Sequence, residues 1–341
     1  MKIFFVILFI GIASSSVHAQ GFVSDVSKKG TTAAPFLSIG QGARAIGMGS
    51  AFVAIADDRS SLYWNPAGLA DLPGNGIVFD HTQWIADLQY NFFGASFNLG
   101  DYGAVGMSAI TSSISDMDVT TISEPDGTGE VFGVSDAAFS LAYALKLTNE
   151  FSIGINPKYV YQKIWKMSAG TFAFDLGVKY KTPFPGITLA MTITNFGGKM
   201  QMAGPNALIT YDPDLPNSGN NDRIPANLQM DEWALPLNFR VGIAYDAIKS
   251  DDNRLVFAID ATHPNDNYES LNVGGEYTYQ DFLSLRSGYK ALFLQSSEES
   301  FAFGVGVKQF VVRNVVVSID YAYQEFKRLK NIQKFSVGIN F

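Results

Sequence analysis

The last seven residues of the chain, 335–341, read FSVGINF, so that Phe335, Val337, Ile339 and Phe341 alternate with small or polar residues. Because successive side chains of a β-strand point to opposite faces, this period of two predicts a strand with one apolar and one polar face. The same alternation recurs upstream in residues 172–180, 237–246, 271–279 and 301–308. Strands are therefore predicted to dominate the chain beyond residue 76.

The polar faces of these strands carry full charges, which bears on the choice between two architectures. The charged positions are Lys158, Asp175, Lys179, Arg240, Asp246, Asp260, Glu276, Arg286, Lys308 and Asp320. In a soluble β-sandwich this face would meet water, and the apolar faces would pack into a core. The predicted strands, however, are longer than the usual ~5 to 6 residues, and their apolar faces are rich in Phe and Tyr. Long strands with aromatic girdles and apolar-out, polar-in alternation favour a transmembrane β-barrel.

The number of segments and the connections between them agree with a barrel. About fourteen segments fit the pattern, and an even number is expected of a single-chain bacterial barrel. Tight connections at 100–101, 148–149, 183–185, 280–281 and 311–312 alternate with longer ones at 114–135, 198–233, 264–267, 291–299 and 327–331. We predict an all-β, transmembrane antiparallel β-barrel of about 14 strands over residues 77–341, with short periplasmic turns and long extracellular loops. Phe341, at the end of the last strand, resembles the signal that outer-membrane assembly machinery reads.

Composition and the N-terminus point to export. The chain of 341 residues is 47% hydrophobic, has no cysteine and carries a net charge of −8. These values exclude disorder, a disulfide scaffold and a thiolate metal site, and they argue against a nucleic-acid partner. Residues 1–19 combine Lys2, an apolar run and small residues ending at Ala19, which predicts a signal peptide. No later stretch approaches the ~18 apolar residues of a membrane-spanning helix, so the exported chain is either soluble or crosses a membrane as a barrel. Because the strand pattern favours the barrel, we expect a location in the bacterial outer membrane.

Residues 20–76 do not alternate and are rich in glycine and small residues. Such residues let backbone segments pack closely in a confined space, and a barrel of this size encloses a lumen too wide for wall side chains alone to fill. We therefore expect an N-terminal plug inside the lumen. Its motif residues are Gly42, Arg44, Gly47, Gly49, Asp57, Asp58, Trp64, Asn65 and Pro66.

The run from Ala34 to Leu69 contains GARAIGMG, ADD and WNPAGL in order. It resembles the PorV/PorQ family of outer-membrane proteins, within the wider FadL-like superfamily. The resemblance implies a fourteen-stranded barrel with an N-terminal hatch that carries the Asn65-Pro66-Ala67 element. Trp64-Asn65-Pro66 and the Arg44 motif are nearer to PorV than to PorQ. By resemblance, such a protein docks on a large translocon barrel and receives the C-terminal domains of exported cargo.

The pairing of Arg44, a charged residue in the predicted plug, depends on whether it is buried. A buried arginine is costly unless it is paired. Its candidate partners are Asp57 and Asp58 nearby, or a carboxylate of the lumen wall, namely Asp175, Asp260 or Glu276. The alternative is an unburied arginine at the periplasmic mouth, and the sequence does not choose between them.

No combination of residues predicts catalysis, a metal site or a cofactor. The Gly40-x-Gly42-x-x-Ala45 pattern lacks the βαβ context of a dinucleotide site. His81 and His263 have no metal-ligand spacing, and no G-x-S-x-G nucleophile motif occurs. The carboxylates of the 198–233 loop, in the absence of an EF-hand order, are predicted to be solvated. We expect the protein not to be an enzyme.

Two functions remain. The first is a type IX secretion component whose partners are outer-membrane lipid, a large translocon barrel and the C-terminal domains of secreted cargo. The second is a FadL-like transporter of fatty acids or other hydrophobic small molecules. Small, polar and charged inward faces weaken the second, although Met200, Met202, Leu208 and Ile209 in the long loop are enough for an apolar mouth.

Overall fold

The structure, a computed structural model, describes residues 28–214, 216, 223–294, 297–312, 314–329 and 331–341. The signal peptide predicted at 1–19 lies outside the described residues. Within these residues, no helix has the length and apolar character needed to cross a membrane.

Fourteen antiparallel strands form a closed barrel in which each strand pairs with its neighbours in chain order. The strands are β1 Gly76–Gln83, β2 Gln89–Asn98, β3 Ala104–Ser113, β4 Val134–Lys146, β5 Phe151–Ile164, β6 Met167–Lys181, β7 Ile187–Gly197, β8 Asn238–Lys249, β9 Asn253–Pro264, β10 Ser270–Tyr279, β11 Leu283–Leu292, β12 Glu299–Val312, β13 Val315–Phe326 and β14 Ile332–Asn340. Pairing of β1 with β14, from Gly76 opposite Asn340 to Gln83 opposite Gln333, closes the ring. The prediction of an all-β, antiparallel barrel of 14 strands is confirmed.

The period of two in the sequence separates the two faces of the wall. Along β14, Phe335 is 50% exposed, whereas the neighbouring Lys334 and Ser336 are buried. Along β12, Phe301, Phe303 and Val305 face outward and Ala302 is fully buried. The apolar outer face suits contact with the lipid of a bilayer, and the polar inner face suits a lumen that contains water or polar groups.

The connections differ in length between the two rims of the barrel, which we call the long-loop rim and the short-turn rim. The long-loop rim carries residues 114–133 and 198–237, within which three two-stranded sheets form. They pair Met117–Asp118 with Val131–Phe132, Met200–Gln201 with Glu232–Trp233, and Leu208–Tyr211 with Ile224–Asn227.

One predicted turn is misplaced, and one connection for which no length was predicted is unexpectedly short. β5 and β6 join on the long-loop rim through only Trp165 and Lys166. Trp165 takes a positive φ of 51°, a conformation for which a glycine would have been the usual sequence signal. The turn expected at Val311 and Val312 lies later, because β12 continues to Val312 across a register shift after Phe310. An irregular pairing with one extra residue lengthens a strand without leaving a turn signal in the sequence.

Residues 28–75, which we call the inner segment, pack against inward-facing residues of the wall such as Asp260, Glu276 and Ser336. Their elements are short, namely the 3₁₀ turns Pro35–Ser38 and Pro66–Asp71 and the helical turns Ala43–Gly47 and Ser61–Trp64. The largest apolar side chains of the inner segment, Phe36, Met48, Phe52, Leu62 and Leu69, are almost fully buried. They form two clusters with inward-facing residues of the wall, mostly alanines. The apolar core therefore lies between the inner segment and the wall.

Candidate functional site

Arg44 lies at the centre of an ion-pair network between the inner segment and the wall. Its Nε and Nη2 donate to Oε2 and Oε1 of Glu276 on β10, both at 2.7 Å. Its Nη1 donates to Oδ1 of Asp57 at 2.6 Å and to Oδ2 of Asp58 at 3.0 Å. The fork of a guanidinium fits a carboxylate in this two-pronged arrangement, which fixes orientation as well as charge. Arg44 thus joins its own segment to one wall strand.

The network continues along the wall toward the short-turn rim. Arg286 on β11 donates to Oε2 of Glu276 and to Oδ1 of Asp320 on β13, both at 2.5 Å. Arg254 on β9 lies 3.1 Å from Oδ2 of Asp57 and also bonds Asp246. These residues line a polar cavity of about 390 Å³ whose wall also includes turn residues. We call this set of residues the Arg44 network.

The electrostatic balance at Asp57 shows how the network keeps its charges. Burial by itself would raise the pKa of Asp57. The positive charges of Arg44, Arg254 and Lys179 outweigh that effect and hold the pKa well below its usual range. Burial by itself would lower the pKa of Arg44, but the negative charges of Asp57, Glu276 and Asp58 outweigh it and raise that pKa. Both groups therefore remain charged at neutral pH.

Glycines on both sides let the inner segment approach the wall. Gly42, at a φ of 87°, precedes the helical turn that carries Arg44. A side chain at Gly47 would collide with the backbone of Gly304, and one at Gly49 would collide with the backbone of both β10 and β11. On the wall, a side chain at Gly274 or Gly288 would collide with the backbone at Met48. The glycines of the motif therefore mark the points of closest backbone contact.

The Trp64-Asn65-Pro66 element has its own contacts, within the inner segment and with β5 and β6. Trp64 Nε1 donates to the carbonyl of Gln41 at 2.7 Å. Asn65 Nδ2 donates to the carbonyls of Val53 and Val178, each at 3.1 Å, so one amide group joins the inner segment to β6. Pro66 packs against Gly154 and Gly177, where an added side chain would collide with it.

The other predicted residues have separate partners. Asp175 bonds Lys158 at 2.7 Å and the amide of Asn195, both on the wall. Asp260 accepts hydrogen bonds from the amides of Phe52 and Val53 at 2.7 and 2.9 Å, so it contacts the inner segment without pairing with Arg44. Phe341 exchanges two backbone hydrogen bonds with Asn75, which joins the end of the chain to the start of β1.

Sequence reasoning missed several contacts of the inner segment. Lys179 on β6 donates to the carbonyl of Ile55 at 2.6 Å, and Lys334 on β14 donates to the carbonyl of Gly40. Lys179 and Arg254 contribute positive charge at Asp57, and Arg286 joins Glu276 to Asp320. Most of these residues were recognisable as charges on the polar face of a strand, but their pairing depends on closure of the barrel.

A second site, the rim cavity, lies at the long-loop rim. It has a volume of about 490 Å³ and is lined by Phe132, Ile164, Trp165, Met167, Met202 and Met230, together with four other residues. Methionine and aromatic side chains make an adaptable apolar surface. Nearby, Leu208, Tyr211 and Trp233 are exposed on the loop sheets. This rim therefore presents apolar groups outside the predicted lipid belt.

Within the described residues, no group of three or more His, Cys, Asp or Glu residues is arranged to hold a metal ion. His81 bonds Asn91 at 2.8 Å, and His263 bonds Glu269 at 2.9 Å. Each histidine is thus engaged with a neighbouring polar side chain.

A closed antiparallel barrel with an apolar outer face and a polar, charged inner face is typical of outer-membrane β-barrel proteins. The family described as "Type IX secretion system protein PorV" matches residues 23–264 of this chain. The chain belongs to this PorV family, and membership of the family implies a location in the outer membrane. No curated protein sequence matches the chain.

Solved structures share the fold at low sequence identity. The Pseudomonas putida toluene transporter TodX is 13% identical at a TM-score of 0.56, covering 88% of this chain and 97% of its own. The Ralstonia pickettii toluene transporter TbuX is 12% identical at a TM-score of 0.55, covering 89% and 98%. The monoaromatic hydrocarbon channel CymD is 14% identical at a TM-score of 0.54, covering 89% and 98%. At these identities the likeness describes the fold alone.

Proposed function

We propose that the protein is a type IX secretion component that docks on a large translocon barrel and receives exported cargo at its long-loop rim. The observation that carries the proposal is the PorV family match over residues 23–264. That range spans the inner segment and both long loops, 114–133 and 198–237, so the match includes the parts that distinguish this barrel from a plain pore.

The inner segment acts as a plug in this proposal. It contacts the wall through ion pairs at Glu276, amide bonds to Asp260 and backbone contacts at Gly274 and Gly288. These anchors lie on β9, β10 and β11, and Asn65 adds another on β6. We infer that the chain divides into a signal peptide at 1–19, a plug at 20–76 and a barrel at 77–341.

Exposed apolar groups on the loops support cargo reception. Leu208 is 57% exposed, and Ile209, Tyr211 and Trp233 are also exposed in the same loop. Scattered apolar residues are ordinary on protein surfaces, but a cluster beside an apolar cavity is typical of an interaction site. We assign the cargo-binding surface to the 198–237 loop and the adjacent rim cavity.

Co-purification from the native host tests this proposal. The tagged protein is extracted in mild detergent, and its partners are identified by mass spectrometry. Recovery of a large barrel and of secreted proteins is expected, and a variant with Leu208→Ser, Ile209→Ser and Tyr211→Ser is expected to lose the secreted proteins. Phe184→Ser is the matched control, because Phe184 is 69% exposed on the short-turn rim. Recovery with neither class of partner would contradict the proposal.

Transport of hydrophobic small molecules is the second candidate. The rim cavity of about 490 Å³ and the fold shared with toluene transporters favour it. The Arg44 network opposes it, because an apolar molecule on an axial path would meet buried charges that it cannot solvate. Uptake of radiolabelled toluene or a fatty acid into proteoliposomes tests this candidate. A rate equal to that of protein-free vesicles would exclude it.

A further inference from the structure

A small polar cavity of about 140 Å³ lies between the inner segment and the wall on the side of the long-loop rim. It is distinct from the Arg44 network and from the rim cavity. Its lining includes Trp64 of the inner segment and Asn238, Arg240 and Asn272 of the wall. Asn267 and Leu294, which also line it, belong to connections of the long-loop rim, so the cavity faces that rim.

Arg240, which lines this cavity, has a guanidinium nitrogen that lacks a hydrogen-bond partner in the described part of the chain. Its side chain is only 8% exposed, and Nη1 is buried with no hydrogen-bond partner among the described residues. Its guanidinium carbon lies 5.2 Å from the centre of the Trp64 ring and 6.0 Å from that of Tyr63. Stacking on aromatic faces orients a guanidinium but leaves the in-plane N–H groups free to donate.

The neighbouring charges do not supply the missing partner. No carboxylate of the described part of the chain forms an ion pair with Arg240 within 4.0 Å. Asp260 attracts Arg240 from beyond that distance: its Oδ2 accepts from the amides of Phe52 and Val53, and its Oδ1 is buried without a hydrogen-bond partner among the described residues. Lys290 and Glu299, which also line the cavity, pair with each other at 2.6 Å.

We propose that the Arg240 cavity is a binding site for a carboxylate that enters from the long-loop rim. A buried arginine without a close anion is costly, and the planar fork of a guanidinium matches a carboxylate with two parallel hydrogen bonds. Trp64 and Tyr63 hold the fork in place before the ligand arrives, which reduces the ordering that binding requires. A cavity of about 140 Å³ has room for a small organic molecule, so the carboxylate belongs either to a free small acid or to the last residue of a peptide.

This site is independent of the proposed secretion function, because a carboxylate would bind here in either a secretion component or a transporter. Calorimetric titration of the purified full-length protein in chloride-free buffer tests it with three probes. The probes are acetate, a short peptide with a free C-terminal carboxylate, and the same peptide with an amidated C-terminus.

Arg240→Gln is expected to weaken acetate binding at least tenfold, while Arg240→Lys retains part of it. Arg328→Gln, which alters an exposed arginine outside this cavity, is the control and is expected to bind acetate normally. Heat-modifiable migration on gels verifies that each variant is a folded barrel. Binding of acetate alone assigns a free acid, and binding of the free but not the amidated peptide assigns a chain terminus. Failure of all probes to bind, or equal binding by Arg240→Gln, would overturn the proposal.

Discussion

Arg44 and Glu276, 232 residues apart in sequence, meet through two parallel hydrogen bonds of 2.7 Å each. One residue belongs to the inner segment and the other to β10 of the wall. Since Glu276 is nearly fully buried and also accepts from Arg286, this pair couples the inner segment to the barrel through charges that have little access to water.

Removing one partner of this pair is expected to destabilise the protein strongly. Arg44→Gln leaves Glu276 with one fewer compensating charge, and breaking a buried pair in this way costs about 3 to 5 kcal/mol. The free energy of unfolding is measured by urea titration in lipid vesicles. Lys308→Gln, which breaks the exposed pair with Asp281, is the control and should cost about 0 to 1 kcal/mol. Equal losses in the two variants would contradict the assignment of Arg44 as an anchor.

Acid is expected to loosen the inner segment through Asp57. The native pKa of Asp57 lies well below the value of 3.8 that it has when unperturbed. A carboxyl with a depressed native pKa contributes stability that is present above its unfolded pKa and is lost as the pH falls toward the native pKa. We therefore expect the unfolding free energy to fall between about pH 4 and pH 2. Asp57→Asn should be less stable at neutral pH and should show a shallower decline in acid; an unchanged pH profile would refute the assignment.

Backbone contact between the inner segment and β10 predicts that alanine substitutions at two adjacent glycines have different effects on the unfolding free energy. An alanine at Gly274 would collide with the carbonyl of Met48, whereas one at Gly275 meets only the ring edge of Phe257 on the outer face. Overpacking of a close contact costs about 1 to 3 kcal/mol. Gly274→Ala should therefore lower the unfolding free energy by about that amount, and Gly275→Ala should change it much less. The same urea titration measures both, and equal effects would argue against close contact at Met48.

The stability cost of a charged residue on the outer face is expected to depend on the depth of that residue in the bilayer. Phe303 lies on the outer face near the middle of β12, where arginine should cost about 2 to 4 kcal/mol, and Val312 at the strand end should cost about 0 to 1 kcal/mol. Folding into vesicles of defined thickness measures the difference between Phe303→Arg and Val312→Arg. Similar costs at both positions would contradict the orientation of the strands across a bilayer.

The fold was predictable because alternation at positions such as Phe335 and Val337 is a local property of each strand. The hairpin at Trp165 was not, since this residue takes a positive φ without being a glycine and its amide bonds the carbonyl of Gly133 in a distant part of the sequence. The partners of Arg44 were narrowed to five carboxylates, but the choice of Asp57, Asp58 and Glu276 depends on the register of β10 against the inner segment. Arg286 and Asp320 were recognisable as inward charges, yet only ring closure brings them together.

Cargo reception at the long-loop rim is tested most directly by site-specific photo-crosslinking in the native host. A photoreactive amino acid replaces Leu208 on the long-loop rim or Phe184 on the short-turn rim, two exposed apolar positions. The proposed function predicts crosslinks from position 208 to secreted proteins during active secretion and none from position 184. Crosslinks to secreted proteins from position 184 alone, or from neither position, would contradict it.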